Sequence, residues 1–191
     1  YSGSRGLGDV YKRQALGEVD AALAEEALYN AAIERVPESR TLHNNTVVDL
    51  LAIGSEMLRG EILYRLEKYD EAYAALRRAI VLEDTLPYDE PWGWMQPVRH
   101  ALGALLLEQG HTDEAEVVFR EDLGLCSQLA RATVHPDNVW ALKGLHDCLK
   151  ARGETVEIVQ VRQRLDLAQA RADGAFAASC FCAQAAMRAV E

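Results

Sequence analysis

The sequence predicts an all-α fold, and three observations favour it. Apolar residues recur every three to four positions through most of the chain, which places them along one face of a helix. No segment reads as a strand, because none shows the sustained alternation of apolar and polar residues that strands favour. The breaks between the periodic segments are short, so neighbouring helices are expected to pack antiparallel.

The first three helices are predicted over residues 15–36, 47–66 and 71–82. Pro37 ends the first of them, because proline lacks the backbone N–H that a continuing helix needs. The stretch Lys-Tyr-Asp at 68–70 separates the second helix from the third. A break this short predicts that the second and third helices form an antiparallel pair.

The fourth and fifth helices are predicted over residues 98–107 and 114 to about 129. Pro97 precedes the fourth helix and suits its first turn, where the missing N–H is not needed. The stretch Gly-His-Thr at 110–112 breaks the pattern before the fifth helix. The acidic residues at 113 and 114 indicate a helix start, since carboxylates are stabilised by the positive end of the helix dipole.

The sixth and seventh helices are predicted over residues 139–149 and 156–170, with Gly153 in the break between them. The stretch His-Pro-Asp-Asn at 135–138 reads as a turn or cap before the sixth helix, and so does His-Asn-Asn at 43–45 before the second. Polar residues in such turns could also contact a ligand if they lie close to a groove.

The composition excludes several classes of function. An apolar fraction of 49% in 191 residues is typical of one globular domain with a sizeable core. A formal net charge of −10 argues against nucleic acid or an anionic membrane as the main partner, since both attract clustered Lys and Arg. No apolar run approaches the roughly 20 residues that cross a bilayer. We therefore expect a soluble cytoplasmic protein whose four cysteines are free thiols.

The first residues, YSGSRGLGDVYKRQ, show neither helical nor strand periodicity. They resemble translated adaptor or vector sequence, so residues 1–14 are predicted to be a non-native or disordered leader. The helical repeat domain is then predicted over residues 15–172. The remaining segment, residues 173–191, is apolar enough to need cover, and we expect it to pack on the helices.

Two of the predicted helix pairs share one pattern of residues. Gly103 lies 43 residues after Gly60, and Ala115 lies 43 residues after Ala72. The markers of the first pair are Gly60, Leu63, Ala72, Leu76 and Ala79. Those of the second pair, at the same offsets, are Gly103, Leu106, Ala115, Phe119 and Asp122. A constant displacement indicates an internal repeat, and its glycines are expected to let the two helices of a pair approach closely.

The spacing within each unit resembles the tetratricopeptide repeat (TPR). The resemblance implies a solenoid of three antiparallel helix pairs, or slightly more. The chain departs from the family pattern in its period, which is about nine residues longer than the usual 34. Asp122 also stands where a small residue is usual. A third unit, over residues 138–165, is weaker, and its register fits in two ways.

Four further segments resemble an uncharacterised family of TPR proteins found in fungi, protists and bacteria. They are HNN at 43–45, YDEPWGWMQPVRHALGALLLEQG at 88–110, HPDNVWAL at 135–142 and SCFC at 179–182. That family has a repeat assignment and no assigned reaction, so the resemblance implies a fold and little chemistry.

The TPR resemblance implies a concave groove lined by the first helix of each pair, where ligands usually bind. The residues expected to face it and to bind a partner are Met57, Glu61, Tyr64, Arg65, His100, Leu107 and Trp140. A groove with this mixture of apolar and acidic residues suits a basic or amphipathic peptide or helix. The alternative occupant is the chain's own C-terminal segment.

The stretch LPYDEPWGWMQPVRH, at 86–100, places two of the three tryptophans in a segment that prolines prevent from being helical. In one hypothesis Trp92, Trp94 and Met95 fold back as a plug over a groove or repeat junction, because exposed aromatic side chains are costly. In the other, Tyr88, Trp92 and Trp94 form a recognition surface for a partner. Both hypotheses describe an ordered connector.

One cluster of residues suggests a metal site, namely Cys180-x-Cys182 together with His146-x-Cys148. Zinc sites favour two residues between paired cysteines, so ordinary packed thiols are the simpler interpretation. We therefore predict neither a bound metal nor a cofactor.

A second set, Asp89, Glu90 and His100, could be imagined as the acid, base and ligand of an enzyme. No nucleophile, oxyanion donor or phosphate-binding loop accompanies these residues in the sequence. The sequence therefore predicts a non-catalytic scaffold that binds a protein or peptide through its groove and its Trp-rich connector. An enzyme or metal-dependent protein built on the same helices, with these residues or the C-terminal cysteines in its site, is the alternative.

Overall fold

A computed structural model describes residues 17–126, 129–173, 177–180 and 182–183. Helices dominate these residues, so the predicted all-α class is confirmed. In chain order the elements are α1 (Val19–Ile33), β1 (Thr41–Leu42), β2 (Asn45–Thr46), α2 (Val47–Arg65), α3 (Tyr69–Asp84), α4 (Val98–Glu108), α5 (Thr112–Asp122), α6 (Val139–Ala151) and α7 (Glu157–Gln169). A short 3₁₀ turn, Arg131–Thr133, lies between α5 and α6. The predicted leader, residues 1–14, lies outside the described residues.

The helices of the described chain correspond in order to the seven predicted segments, and the fifth differs most. It was predicted to reach about residue 129 but ends at Asp122. Gly124 adopts a left-handed φ of 71°, a conformation that glycine tolerates and a helix does not use. The backbone carbonyl of Asp122 accepts a hydrogen bond from the N–H of His135 at 2.6 Å. The loop before α6 therefore supplies a partner for a carbonyl at the end of this helix.

A two-stranded hairpin precedes α2, so the prediction that no residue forms a strand was wrong here. Thr41 pairs with Thr46 and Leu42 pairs with Asn45 in an antiparallel ladder. Strands of two residues are too short to show an alternating pattern, which explains the error. His43 supplies the left-handed φ of 51° that the tight turn requires.

Side-chain caps fix the starts of two helices. The hydroxyl of Thr46 accepts the backbone N–H of Asp49 at 3.1 Å, so α2 begins directly after the hairpin. The side-chain oxygen of Asn138 accepts the backbone N–H of Ala141 at 2.8 Å at the start of α6. The stretch at 135–138, read from the sequence as a turn or cap, thus contains the cap of α6.

The described residues form two compact units, one ending at Val98 and the other beginning at Arg99. In the first unit, Gly60 of α2 faces α3, where an added Cβ atom would lie 2.7 Å from Cγ of Leu76. The same atom would lie 3.1 Å from the backbone oxygen of Ala72. Only a glycine permits this approach, as the repeat pattern predicted. On its other side α2 packs against α1 through Ala22, Leu58 and Ile62, which are fully buried.

The second unit contains the corresponding contact between α4 and α5. An added Cβ atom on Gly103 would lie 2.5 Å from Cζ of Phe119, and one on Gly144 of α6 would lie 2.2 Å from the same atom. The phenyl ring therefore fills the space left by two glycines on different helices. Arg120 of α5 adds a two-pronged ion pair to Glu157 of α7, with bonds of 2.7 and 2.6 Å.

Among the described residues, no helix combines the length and the apolar character needed to span a bilayer.

Candidate functional site

The Trp-rich connector is held to the hairpin by a buried carboxylate in the first unit. Oδ2 of Asp89 accepts the backbone N–H of Asn44 and the side-chain Nδ2 of Asn45, both at 3.3 Å. Oδ1 of Asp89 accepts the N–H of Glu90 at 3.1 Å, and Nδ2 of Asn44 donates to the carbonyl of Tyr88 at 2.8 Å. The three bonds from Asn44 and Asn45 cross more than 40 positions of sequence, so the connector is ordered by contacts with the hairpin.

Trp94 points into the first unit. A Cβ atom added to Gly54 of α2 would lie 3.1 Å from Cη2 of the Trp94 ring and 2.7 Å from the hydroxyl of Tyr29. That hydroxyl donates to the carbonyl of Leu51 at 2.9 Å, and burial raises the pKa of Tyr29 to about 12. Trp94 therefore covers the small residue on α2, as the plug hypothesis proposed for it.

Three large side chains of the connector stay exposed. Tyr88, Trp92 and Met95 have 59%, 43% and 63% of their surface accessible, and we call these three residues the connector patch. This exposure does not favour the plug role proposed for Trp92 and Met95. The connector therefore has one tryptophan packed beside α2 and another at its surface.

The residues predicted to face a groove from α2 are mostly inaccessible. Met57, Glu61 and Tyr64 are buried, with at most 5% of their surface exposed. The guanidinium of Arg65 lies over the ring of Tyr64, 6.0 Å from its centre. Burial raises the pKa of Glu61 to about 8, against the opposing effect of the Arg65 charge. A partner would reach these three side chains only after a rearrangement.

The remaining predicted groove residues belong to the second unit. His100 is buried, and Leu107 and Trp140 are half-buried. His100 takes part in a polar network that the sequence did not reveal. Its Nε2 lies 2.9 Å from Oδ2 of Asp122, and Nδ1 of His135 lies 2.8 Å from Oδ1 of the same carboxylate. Nδ2 of Asn138 donates to Oδ2 of Asp122 at 2.7 Å.

Asp122 is the centre of this network. Burial by itself raises the pKa of a carboxyl group, but the hydrogen bonds from His100 and His135 outweigh it and hold the pKa of Asp122 well below its usual range. An ionised carboxylate only accepts hydrogen bonds, so both imidazoles present an N–H to it. The network joins α4, the end of α5 and the loop before α6. The only signal in the sequence was the departure of Asp122 from the small residue of the repeat.

In the part of the chain that the structure describes, no group of three or more His, Cys, Asp or Glu side chains could hold a metal ion. Cys180 and Cys182 form a disulfide, so the prediction that all four cysteines are free was wrong for this pair. Cys126 and Cys148 are free thiols. Burial raises the pKa of Cys148 to about 12, which keeps it protonated.

Two of the three residues considered for an enzyme, Asp89 and His100, form hydrogen bonds within their own units. Asp89 accepts hydrogen bonds from the hairpin, and His100 donates to Asp122. Glu90 is exposed beside Pro91. These contacts account for Asp89 and His100 as structural groups.

The sequence matches no protein-family model and shows no significant similarity to a curated protein.

Proposed function

We propose that this chain is a non-catalytic binding module that holds a peptide or a helix of another protein at the connector patch. The observation that carries the proposal is the exposure of Tyr88, Trp92 and Met95 on a backbone fixed by the buried Asp89. Aromatic residues are enriched among the residues that contribute most to binding between proteins. A patch that is already ordered loses little conformational entropy on binding, which favours affinity.

Charge further restricts the partner. Glu90 is exposed within the connector, and the whole chain carries a formal charge of −10. A partner segment with apolar side chains flanked by Lys or Arg would complement this surface and would associate faster at low ionic strength. We extend the proposal to a TPR-like solenoid, supported by the close glycine contacts at Gly60 and Gly103, 43 residues apart.

The test compares proteins retained by the immobilised chain and by two variants. Trp92→Ala removes the largest side chain of the connector patch, whereas Val81→Ser removes an exposed apolar side chain of α3 as a control. We expect a set of proteins that the parent and the Val81 variant retain and the Trp92 variant loses. Retention of the same proteins by all three chains at equal levels would refute a role for the patch.

A further inference from the structure

A cleft of about 460 Å³ lies in the second unit, away from the connector patch in the sequence. It is formed by the turn before α6 together with the second half of α7 and the residues after it. Its lining residues are Asp137, Val139, Arg164, Leu167, Ala168 and Arg171. This volume lies within the range of roughly 300–1,000 Å³ typical of small-molecule sites.

Two guanidinium groups give the cleft its charge. Nε of Arg164 donates to Oδ1 of Asp137 at 2.7 Å, which orients the side chain of Arg164. Asp137 is itself fixed in the turn with a left-handed φ of 58°. The bond to Asp137 uses Nε, so the two terminal nitrogens of Arg164 are not engaged by that carboxylate. Arg171 lies exposed after the end of α7.

The rest of the lining is apolar. Val139 and Ala168 are half-buried, and Leu167 has 63% of its surface exposed. An exposed leucine gains from being covered by an aliphatic ligand, because the water around its side chain is released. The cleft thus combines an apolar wall with a positively charged edge.

We propose that this cleft binds a small monocarboxylic acid with an aliphatic tail. Two arginines and one aspartate leave a single positive charge on the lining, which matches one carboxylate. A phosphate group carries nearly two negative charges and would be less well compensated, in a chain whose formal charge is already −10. Guanidinium groups bind carboxylates through paired N–H donors, and the tail would cover Leu167 and Val139. This site is independent of the connector patch.

The ligand class is tested by titrating the protein with octanoate and three compounds that share its eight-carbon chain. Octanol lacks the charge, octylamine reverses it, and octyl phosphate increases it. Binding is measured by calorimetry and by amide chemical shifts, which show whether the ligand lies at the lining residues of the cleft. We expect octanoate to bind in a saturable manner and at least about tenfold more tightly than octanol or octylamine, because charged hydrogen bonds contribute this much.

The site is tested by variants of α7 and the residues that follow it. Arg171→Ala and Leu167→Ser should each weaken octanoate binding by about tenfold, since one removes a guanidinium and the other the apolar wall. Arg162→Ala is the matched control, because Arg162 is an exposed arginine of α7 that pairs with Asp166 at 2.7 Å and does not line the cleft. Its affinity for octanoate should match that of the parent chain. Thermal unfolding of each variant verifies that all of them are folded.

Several outcomes would overturn the proposal. Absence of octanoate binding to the folded parent chain would exclude the ligand class, as would tighter binding of octyl phosphate. Equal binding of octanol would show that the charge plays no part. Equal losses in the Arg171 and Arg162 variants would show general attraction to surface charge. Shift changes confined to residues away from the turn before α6, from α7 and from the residues directly after it would place the ligand elsewhere.

Discussion

Nε2 of His100 lies 2.9 Å from Oδ2 of Asp122, on a helix pair where the repeat pattern favours a small residue at position 122. The carboxylate also accepts hydrogen bonds from His135 and Asn138 in the loop before α6. One buried charge thus connects two helices to a loop. Buried charges are tolerated only when hydrogen bonds compensate for their desolvation, as they do here.

Replacing Asp122 with Asn should destabilise the second unit. The change removes the negative charge and leaves a single amide oxygen to accept hydrogen bonds from two imidazole N–H groups. We therefore expect the free energy of unfolding to fall by about 3 kcal/mol or more. Urea unfolding at neutral pH measures this loss. The exposed Asp113→Asn variant is the control and should change the free energy by less than about 0.5 kcal/mol. Equal stability of the Asp122 variant and the parent chain would contradict the structural role of the network.

The pH dependence of the same network follows from the lowered pKa of Asp122. The folded state binds a proton at this carboxyl less readily than the unfolded state does. Its contribution to stability is therefore complete above the unfolded value of 3.8 and is lost as the pH falls through the lower folded value. Acid unfolding should be less steep in Asp122→Asn than in the parent chain. Identical acid profiles would exclude this contribution.

Glu61 gives the opposite dependence on pH. Its pKa is raised from 4.5 to about 8, so the folded state retains a proton that the unfolded state has released. Its contribution to stability is present below pH 4.5 and is lost as the pH rises to about 8. Glu61→Gln keeps the neutral form at every pH, and we expect its advantage over the parent chain to grow by roughly 4 kcal/mol across this interval. Unfolding curves between these two pH values measure it, and a constant difference would refute the raised pKa.

Gly144 should tolerate no larger side chain. An alanine there would place its Cβ atom 2.2 Å from Cζ of Phe119, so Gly144→Ala should cost about 1–3 kcal/mol of stability through overpacking. The measurement is a double-mutant cycle with Phe119→Leu, whose smaller side chain makes room for the added methyl group. Gly144→Ala should cost less in the Phe119→Leu background than in the parent chain. Additive effects would show that the two residues do not interact.

The two connector tryptophans should differ in their effects on stability. Trp94→Ala removes a ring that covers Gly54 and should lower the free energy of unfolding by about 3 kcal/mol. Trp92→Ala removes an exposed side chain and should change it by less than about 1 kcal/mol. Thermal and urea unfolding of the two variants, each compared with the parent chain, measure the difference. Equal losses would contradict the difference in packing between the half-buried Trp94 and the exposed Trp92.

The positions of the helices could be predicted from the sequence because a helix depends on residues close together in the chain. The periodic apolar residues, Pro37 and the cap at Asn138 are local signals of this kind. The 43-residue spacing between Gly60 and Gly103 likewise predicted two close approaches between helices that the structure contains. The hairpin before α2 and the end of α5 were not predicted. The hairpin is a ladder of two residues per strand, and the end of α5 is bonded to a loop that comes later in the chain.

The features of the candidate site also differ in whether they depend on local sequence or on contacts between distant residues. The sequence by itself determined the all-α class, the order of the helices and the presence of an aromatic connector. Only the tertiary structure decided that Trp94 is half-buried beside Gly54 while Trp92 is exposed, and that Glu61 is buried. It also decided that two histidines bind the carboxylate of Asp122. Burial and charge compensation depend on groups brought together from distant positions, and these interactions decide which side chains a partner can reach.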